Sequence, residues 1–296
     1  MRATADILEI AAEVARGEAS PPEGTFQRRD VGRVLEGAPE AWLSRLDQVL
    51  TGAHAREALC WLEATGALGV LLPEVQALVG FHEGVTAHHK DLWAHTIEVV
   101  ERTPVEADLR WVALLHDIGK IATRAIDERG RVTFYGHERL GAWLVGGVAA
   151  RLGMPRARAT RIAFVVEHHA RVNAYAPDWT DRAVRRLIRD AGEHLEDMLQ
   201  FSGADYTTRR RGRASRIQAH LAELTERIAE IRRQEASPEP LPSGLGRALC
   251  EGLSLRPGPQ IGDAIRWLEA EINAGRLPAG AVPEVYVTAL QAREAT

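Results

Sequence analysis

The chain has 296 residues, 45% of them hydrophobic and 26% charged, which is apolar material enough for one large or two modest domains and excludes disorder throughout. Forty-one acidic against 37 basic residues leave a formal net charge of −4, so the average field does not draw polyanions and any nucleic-acid contact needs a local basic patch. Cys60 and Cys250 stand 190 positions apart without CxxC spacing, no stretch approaches ~18 apolar residues, and Asp6, Glu9 and Glu13 interrupt the start; the expectation is a cytoplasmic protein without disulfide scaffold, leader or membrane span.

Apolar residues recur at spacings of three and four almost everywhere, which predicts an all-α protein. Residues 1–37 read as an N-terminal arm, a short helix and then a linker bearing Ser20-Pro21-Pro22. Residues 38–80 form a helical N-terminal subdomain, with helices near 40–50 and 53–66. Residues 81–236 make the main domain. Its first helix, Asp91 to Arg102, is broken by Pro104, and its second, Ala107 to Ile121, carries a broad apolar face. Asp127 to Tyr135 is the one candidate strand pair. Helices follow at about 137–152, 156–169, 180–191, 193–208 and 213–234. Gly146-Gly147, inside the first of these, is read as room for close helix packing. Residues 237–296 are a proline-rich linker and a small helical C-terminal module.

Histidine is unevenly placed. Eight of 11 fall within residues 82–169, and the chain's two lysines, Lys90 and Lys120, fall there too, against 35 arginines elsewhere and within. Clustered imidazoles suggest metal. His116-Asp117 interrupts the apolar string Trp111 to Lys120, where charge is seldom buried without a partner. On a helix both flank one edge, and Lys120, at i+4 and i+3, lies over it. His95 stands 21 residues upstream and His137 21 downstream; His168-His169 ends a later apolar helix, and Asp205 sits near the end of another. Helical bundles build metal sites in this way, by projecting imidazoles and carboxylates inward from facing helices.

The order His, His-Asp, His, His-His, Asp, with Lys three after Asp117, resembles the HD phosphohydrolase superfamily. The strings His88-His-Lys-Asp-Leu-Trp-Ala-His95, Leu109 to Lys120, Phe134-Tyr-Gly-His-Glu138 and Trp179 to Arg185 are similar to the HD domain attached to bacterial CCA-adding tRNA nucleotidyltransferases. The likeness covers roughly 85–210, and extends more weakly to 38–80, through Gly66 to Glu74, and to Arg256 to Gly262 in the tail. The polymerase-like head of those enzymes carries an Asp-x-Asp pair, which this sequence contains nowhere. The expectation is therefore an HD-domain helical bundle with N-terminal and C-terminal helical extensions and no nucleotide-adding head.

The resemblance implies a stand-alone metal-dependent phosphohydrolase, opening 2′,3′-cyclic phosphates or removing 2′-phosphates at RNA 3′ ends or on nucleotides. Its metal ligands would be His95, His116, Asp117 and Asp205, with Asp117 bridging to a second ion on His137 and one or both of His168 and His169. Mixed nitrogen and oxygen ligation suits one or two ions of Mn, Ni, Co, Fe or Zn, which activate water for attack on phosphorus. Lys120 would neutralise phosphate oxygens beside the catalytic Asp117, and Arg124 would assist if the helix continues. His88 and His89 either protonate a leaving oxygen and touch substrate, or line a loop. Arg209, which opens a run of five arginines in eight positions, either grips an RNA backbone or is a solvated helix face. Phe134 and Tyr135 stand where they can meet a base. The motifs diverge from alarmone and cyclic di-GMP hydrolases. A 5′-nucleotidase acting on mononucleotides and a non-catalytic RNA-binding module are the rival readings.

Overall fold

Apolar residues spaced three and four apart fold as helix through the residues described in the computed structural model, namely 7–22, 39–82, 91–206, 211–236 and 241–294. Among them the one sheet is a hairpin of two-residue strands, β1 (Ala125–Ile126) and β2 (Val132–Thr133), in antiparallel register Ala125 to Thr133. Its turn is held by Asp127, whose carboxylate accepts the backbone N–H groups of Arg129 and Arg131, both at 2.9 Å. The chain divides into two units, Met1–Ile228 and Ala229–Thr296. No helix among the described residues is long and apolar enough to cross a membrane.

In the first unit, α1 (Ile7–Arg16) buries Ile7, Leu8, Ala11, Ala12, Val14 and Ala15 against α2 (Pro39–Thr51) and α3 (Ala55–Ala64). The start of the expected arm is thus part of the bundle; its remainder, 23–38, lies outside the described residues. The short helices α4 (Ala67–Leu71) and α5 (Pro73–Gln76) follow. Instead of standing apart as a subdomain, α2 and α3 pack on α7 (Ala107–Leu115) and α6 (Leu92–Arg102). Each of these last two opens on an acidic cap: Asp91 accepts the N–H of Trp93 at 2.9 Å, and Glu106 that of Leu109 at 2.7 Å.

Ion pairs set how α2, α7 and α10 (Arg156–Asn173) lie together. Arg158 of α10 donates two hydrogen bonds to Asp47, at 2.9 and 3.0 Å, and one to Asp108 at 2.6 Å. Arg161, one turn along, grips both oxygens of Asp197 at 2.7 Å and reaches Asp108 at 3.1 Å. Asp47 also accepts the indole N–H of Trp111 at 2.7 Å. Such planar, bidentate pairs fix relative orientation as well as separation.

The expected single helix over 107–121 does not form. α7 ends at Leu115, residues 116–119 turn, and a four-residue helix α8 (Lys120–Thr123) follows. At this turn α9 (His137–Arg151) comes close: a Cβ placed on Gly119 would lie 2.1 Å from the carbonyl oxygen of His137 and 2.8 Å from the amide nitrogen of Gly141. Gly119 and Gly141 therefore let two backbones touch, which is the role expected of Gly146-Gly147. Those two glycines are instead exposed, with nothing near where a Cβ would stand.

Two more helix ends shift. α10 continues four residues past His169 to Asn173, so His168-His169 lies inside it. After α11 (Asp181–Ala191), α12 (Leu195–Ala204) stops with Asp205 as its C-cap. The unit boundary then falls within α13 (Arg211–Ala236) and not at 236.

The second unit closes α14 (Leu245–Gly252), α15 (Pro259–Asn273) and α16 (Pro283–Glu294) over Leu245, Leu249, Leu268, Tyr286 and Leu290. The Tyr286 hydroxyl donates to the carbonyl of Pro278 at 2.7 Å, so the connection into α16 is pinned by the helix's own core residue.

Gly119→Ala is expected to destabilise the protein by about 1–3 kcal/mol in a urea titration, because a methyl group must push two helices apart. Gly146→Ala, on open surface inside α9, is expected to leave stability equal or slightly raised.

Candidate metal centre

Four helices and one turn deliver six histidine and aspartate side chains of the first unit to one place. His95 comes from α6, His116 and Asp117 from the turn after α7, His137 from the first position of α9, His169 from α10 and Asp205 from the cap of α12. Among the described residues, His95, His116 and Asp117 offer ligand atoms within 4.8 Å of one another, and so do Asp117, His137 and His169. Asp117 belongs to both groups, one oxygen to each. Its Oδ2 lies 3.2 Å from His116 Nε2 and 3.6 Å from His95 Nε2, and its Oδ1 lies 3.8 Å from His137 Nε2. Asp205 Oδ1 closes the first group from the far side, 3.3 Å from His95 Nε2 and 3.5 Å from His116 Nε2.

Three of the imidazoles are oriented in the same manner. The Nδ1–H of His116 donates to the carbonyl of Ala113 at 2.9 Å, that of His137 to Phe134 at 2.8 Å, and that of His169 to Val166 at 2.7 Å. A carbonyl only accepts, so Nδ1 carries the proton and Nε2 is left as the ligand atom. Phe201 packs its ring on His116 and His169, at centroid distances of 5.3 and 6.1 Å, and walls the site with hydrocarbon.

Burial makes the charge balance stringent. Asp117 and His116 are each 1% exposed, and Asp117 Oδ2 accepts no well-formed hydrogen bond. Desolvation alone would push the Asp117 carboxyl up, but His116, Lys120 and His95 hold it well below the usual carboxylate range. Burial would likewise push His116 down, yet Asp117 and then Asp205 raise it to about 9. His169 is lowered, first by burial and then by the neighbouring His116, so it is a neutral imidazole ready to donate its lone pair. A proton on His116 here does what a cation would do better. Nε2 atoms of two histidines 3.3 Å apart, facing a buried carboxylate oxygen, are a donor set that fits a divalent transition metal.

Lys120 sets its Nζ 2.9 Å from Asp117 Oδ2 and 5.5 Å above the ring of Phe134. The reach expected from a continuous helix is thus achieved across a turn. Arg124 does not share it: α8 ends at Thr123, Arg124 is extended and exposed, and the two side chains are not on one helix face. His168 also stands apart. Its Nδ1–H turns to the carbonyl of Phe164 at 3.0 Å, its ring stacks on Phe164 at 4.3 Å, and it joins neither ligand group. Tyr135, beside the site, is 84% exposed, whereas Phe134 packs against Phe81. His88, His89 and Arg209 lie outside the described residues. Sequence reading missed Asn173, which donates its side-chain N–H to Asp205 Oδ2 at 2.9 Å. The available signal was its place one helical turn beyond His169, hidden by the expectation that the helix ended there.

Residues 88–200 match the HD domain family. The chain is 34% identical over 251 residues to an A-adding tRNA nucleotidyltransferase of Deinococcus radiodurans, covering 82% of this chain and 56% of the relative. It is 32% identical over 259 residues to a CC-adding tRNA nucleotidyltransferase of Thermus thermophilus, covering 83% and 56%. A multifunctional CCA protein of Pseudomonas fluorescens matches over 112 residues at 35% identity, 36% of this chain and 27% of that one. The chain thus spans little more than half the length of the first two relatives.

His169→Ala is expected to weaken transition-metal binding at least as much as the roughly 10- to 100-fold typical of losing a ligand's outer partner, while His168→Ala leaves it unchanged in a chelator competition titration. Equal losses would place the ligand differently. Because His116 must give up a proton that it holds up to about pH 9, metal affinity is expected to rise with pH, by about tenfold per unit from neutrality towards 9, and then level off.

Proposed function

We propose, from the premise that the chain carries an HD domain homologous to part of the tRNA nucleotidyltransferases, that it is a metal-dependent phosphohydrolase acting on the 2′,3′-cyclic phosphate or 2′-phosphate of RNA 3′ ends or nucleotides. The observation that carries this reading is the buried Asp117 with its two oxygens turned to different histidines and a lysine ammonium 2.9 Å away. Such a site holds cations on one side and tolerates a phosphate on the other.

His95, His116, Asp117 and Asp205 would hold one ion, and Asp117, His137 and His169 a second. A divalent transition metal such as Mn, Ni, Co, Fe or Zn, when bound, supplies an acidified water and polarises phosphoryl oxygens. The chain's own groups do the rest. Lys120, 15% exposed at its side chain, neutralises non-bridging phosphate oxygens from the fixed position that Asp117 and Phe134 give it. Asp117 stays ionised throughout, because the cations around it hold its carboxyl low. The Phe201 wall excludes water from the imidazole side, which strengthens each of these interactions. Tyr135 offers an exposed ring on which a terminal base can stack. That the similar proteins in Deinococcus and Thermus are named for adding nucleotides to tRNA supports an RNA 3′ end over a free mononucleotide.

Phosphate-product analysis decides among the readings. Metal-stripped protein is given Mn, Ni, Co, Zn or Mg in turn, with RNA ending in a 2′,3′-cyclic phosphate, 2′,3′-cAMP, 2′-AMP and 5′-AMP. Opening of the cyclic phosphate or release of the 2′-phosphate is expected. Asp117→Ala should abolish it with the fold kept, and Lys120→Met should lower kcat by roughly 10²–10³-fold. Turnover of 5′-AMP alone would make the protein a nucleotidase, and RNA binding that survives EDTA with no turnover would make it a binding module.

A further inference from the structure

The two oxygens of Asp205 meet different partners. Its Oδ1 faces His95 and His116, while its Oδ2 accepts the side-chain N–H of Asn173 at 2.9 Å. Asn173 is the last residue of α10, one turn beyond His169, and its own side-chain oxygen accepts the hydroxyl of Ser202, a residue of α12 that is 1% exposed. The direction of this relay follows from charge. The Asn173 side-chain N–H points at Asp205 Oδ2 from 2.9 Å, and a carboxylate oxygen there accepts. The end of the Asn173 amide that meets it must be the NH2 group, the other end is then the oxygen, and Ser202 must donate. A small cavity lined in part by Val172, Tyr175, Tyr206 and His220 opens beside Asn173 and Ser202.

We infer that Asn173, locked by Ser202, is a positioning residue that keeps one oxygen of Asp205 engaged so that only Oδ1 is presented to a metal. This rests on the metal-centre reading above. Two consecutive ligand-bearing elements are thereby tied together: α10 supplies His169 to one ligand group, and through Asn173 sets the carboxylate of the other.

Cobalt(II) titration of the full chain, followed by its visible absorption and by chelator competition, tests this. Asn173→Asp has nearly the same shape and can still accept from Ser202, but it faces Asp205 with an oxygen where an N–H stood. It is expected to bind cobalt roughly 10- to 100-fold more weakly, with a changed absorption envelope at saturation. Ser202→Ala frees the amide to turn over and should weaken binding by several-fold; it serves as the test should Asn173→Asp not fold. A merely structural asparagine would leave cobalt affinity and the saturated spectrum alone. If wild-type protein binds cobalt and both variants match it in affinity and spectrum, the inference is overturned and the metal centre stands. If wild-type protein does not bind cobalt, the metal-centre reading falls and the inference with it.

Discussion

One carboxylate buried in a helical bundle is the constraint on which the rest of the first unit depends. An isolated anion at the burial of Asp117 would take up a proton or unfold its surroundings, and it does neither because positive or proton-bearing groups approach it from several elements. Lys120 is attached three residues on, His116 one residue before, and His95 and His137 arrive from α6 and α9. The elements that bring them therefore cannot be repacked independently. Replacing the cluster by hydrocarbon would in all fairness to the physics make a more comfortable core, and its retention points to chemistry over stability.

The scaffold answers with a second charged cluster that has no ligand geometry. Arg158 and Arg161 of α10 clamp Asp47, Asp108 and Asp197, which sit on α2, α7 and α12. Three of the helices so joined, α7, α10 and α12, are those that lead into His116, carry His169 and end at Asp205. Bidentate arginines at one end of this helix set thus hold the register that the imidazoles need at the other, and Gly119 with Gly141 brings α9 close enough to contribute His137. Geometry at the centre is inherited from contacts made elsewhere.

The helical class, most helix positions and the residues that gather around Asp117 were legible because apolar periodicity and misplaced charge are both local signals. What was not legible depended on partners distant in sequence. The turn after Leu115 packs against the backbone of α9, which begins 22 positions later at His137, and a pattern that reads as continuous helix does not reveal that contact. The same holds for the glycines: an exposed pair at 146 and 147 reads like a packing motif, whereas the true contact uses two glycines 22 positions apart. The choice between His168 and His169 was available. Ile162, Val165 and Val166 form the buried stripe of α10, and His169 continues it at i+7 from Ile162 while His168 does not. Ending that helix at His169 also concealed Asn173.

A final consequence concerns how readily such a site tolerates change. His116, His137 and His169 each lean on a main-chain carbonyl three residues upstream, at Ala113, Phe134 and Val166. That acceptor is present whatever amino acid occupies the position, so no side chain has to be kept to aim the imidazole. Change at 113 and 166 then leaves the aim of His116 and His169 intact as long as packing is kept, whereas at 134 the ring under Lys120 must be kept as well. Asp205 is the exception, since its alignment runs through two named side chains and would have to change in concert with them.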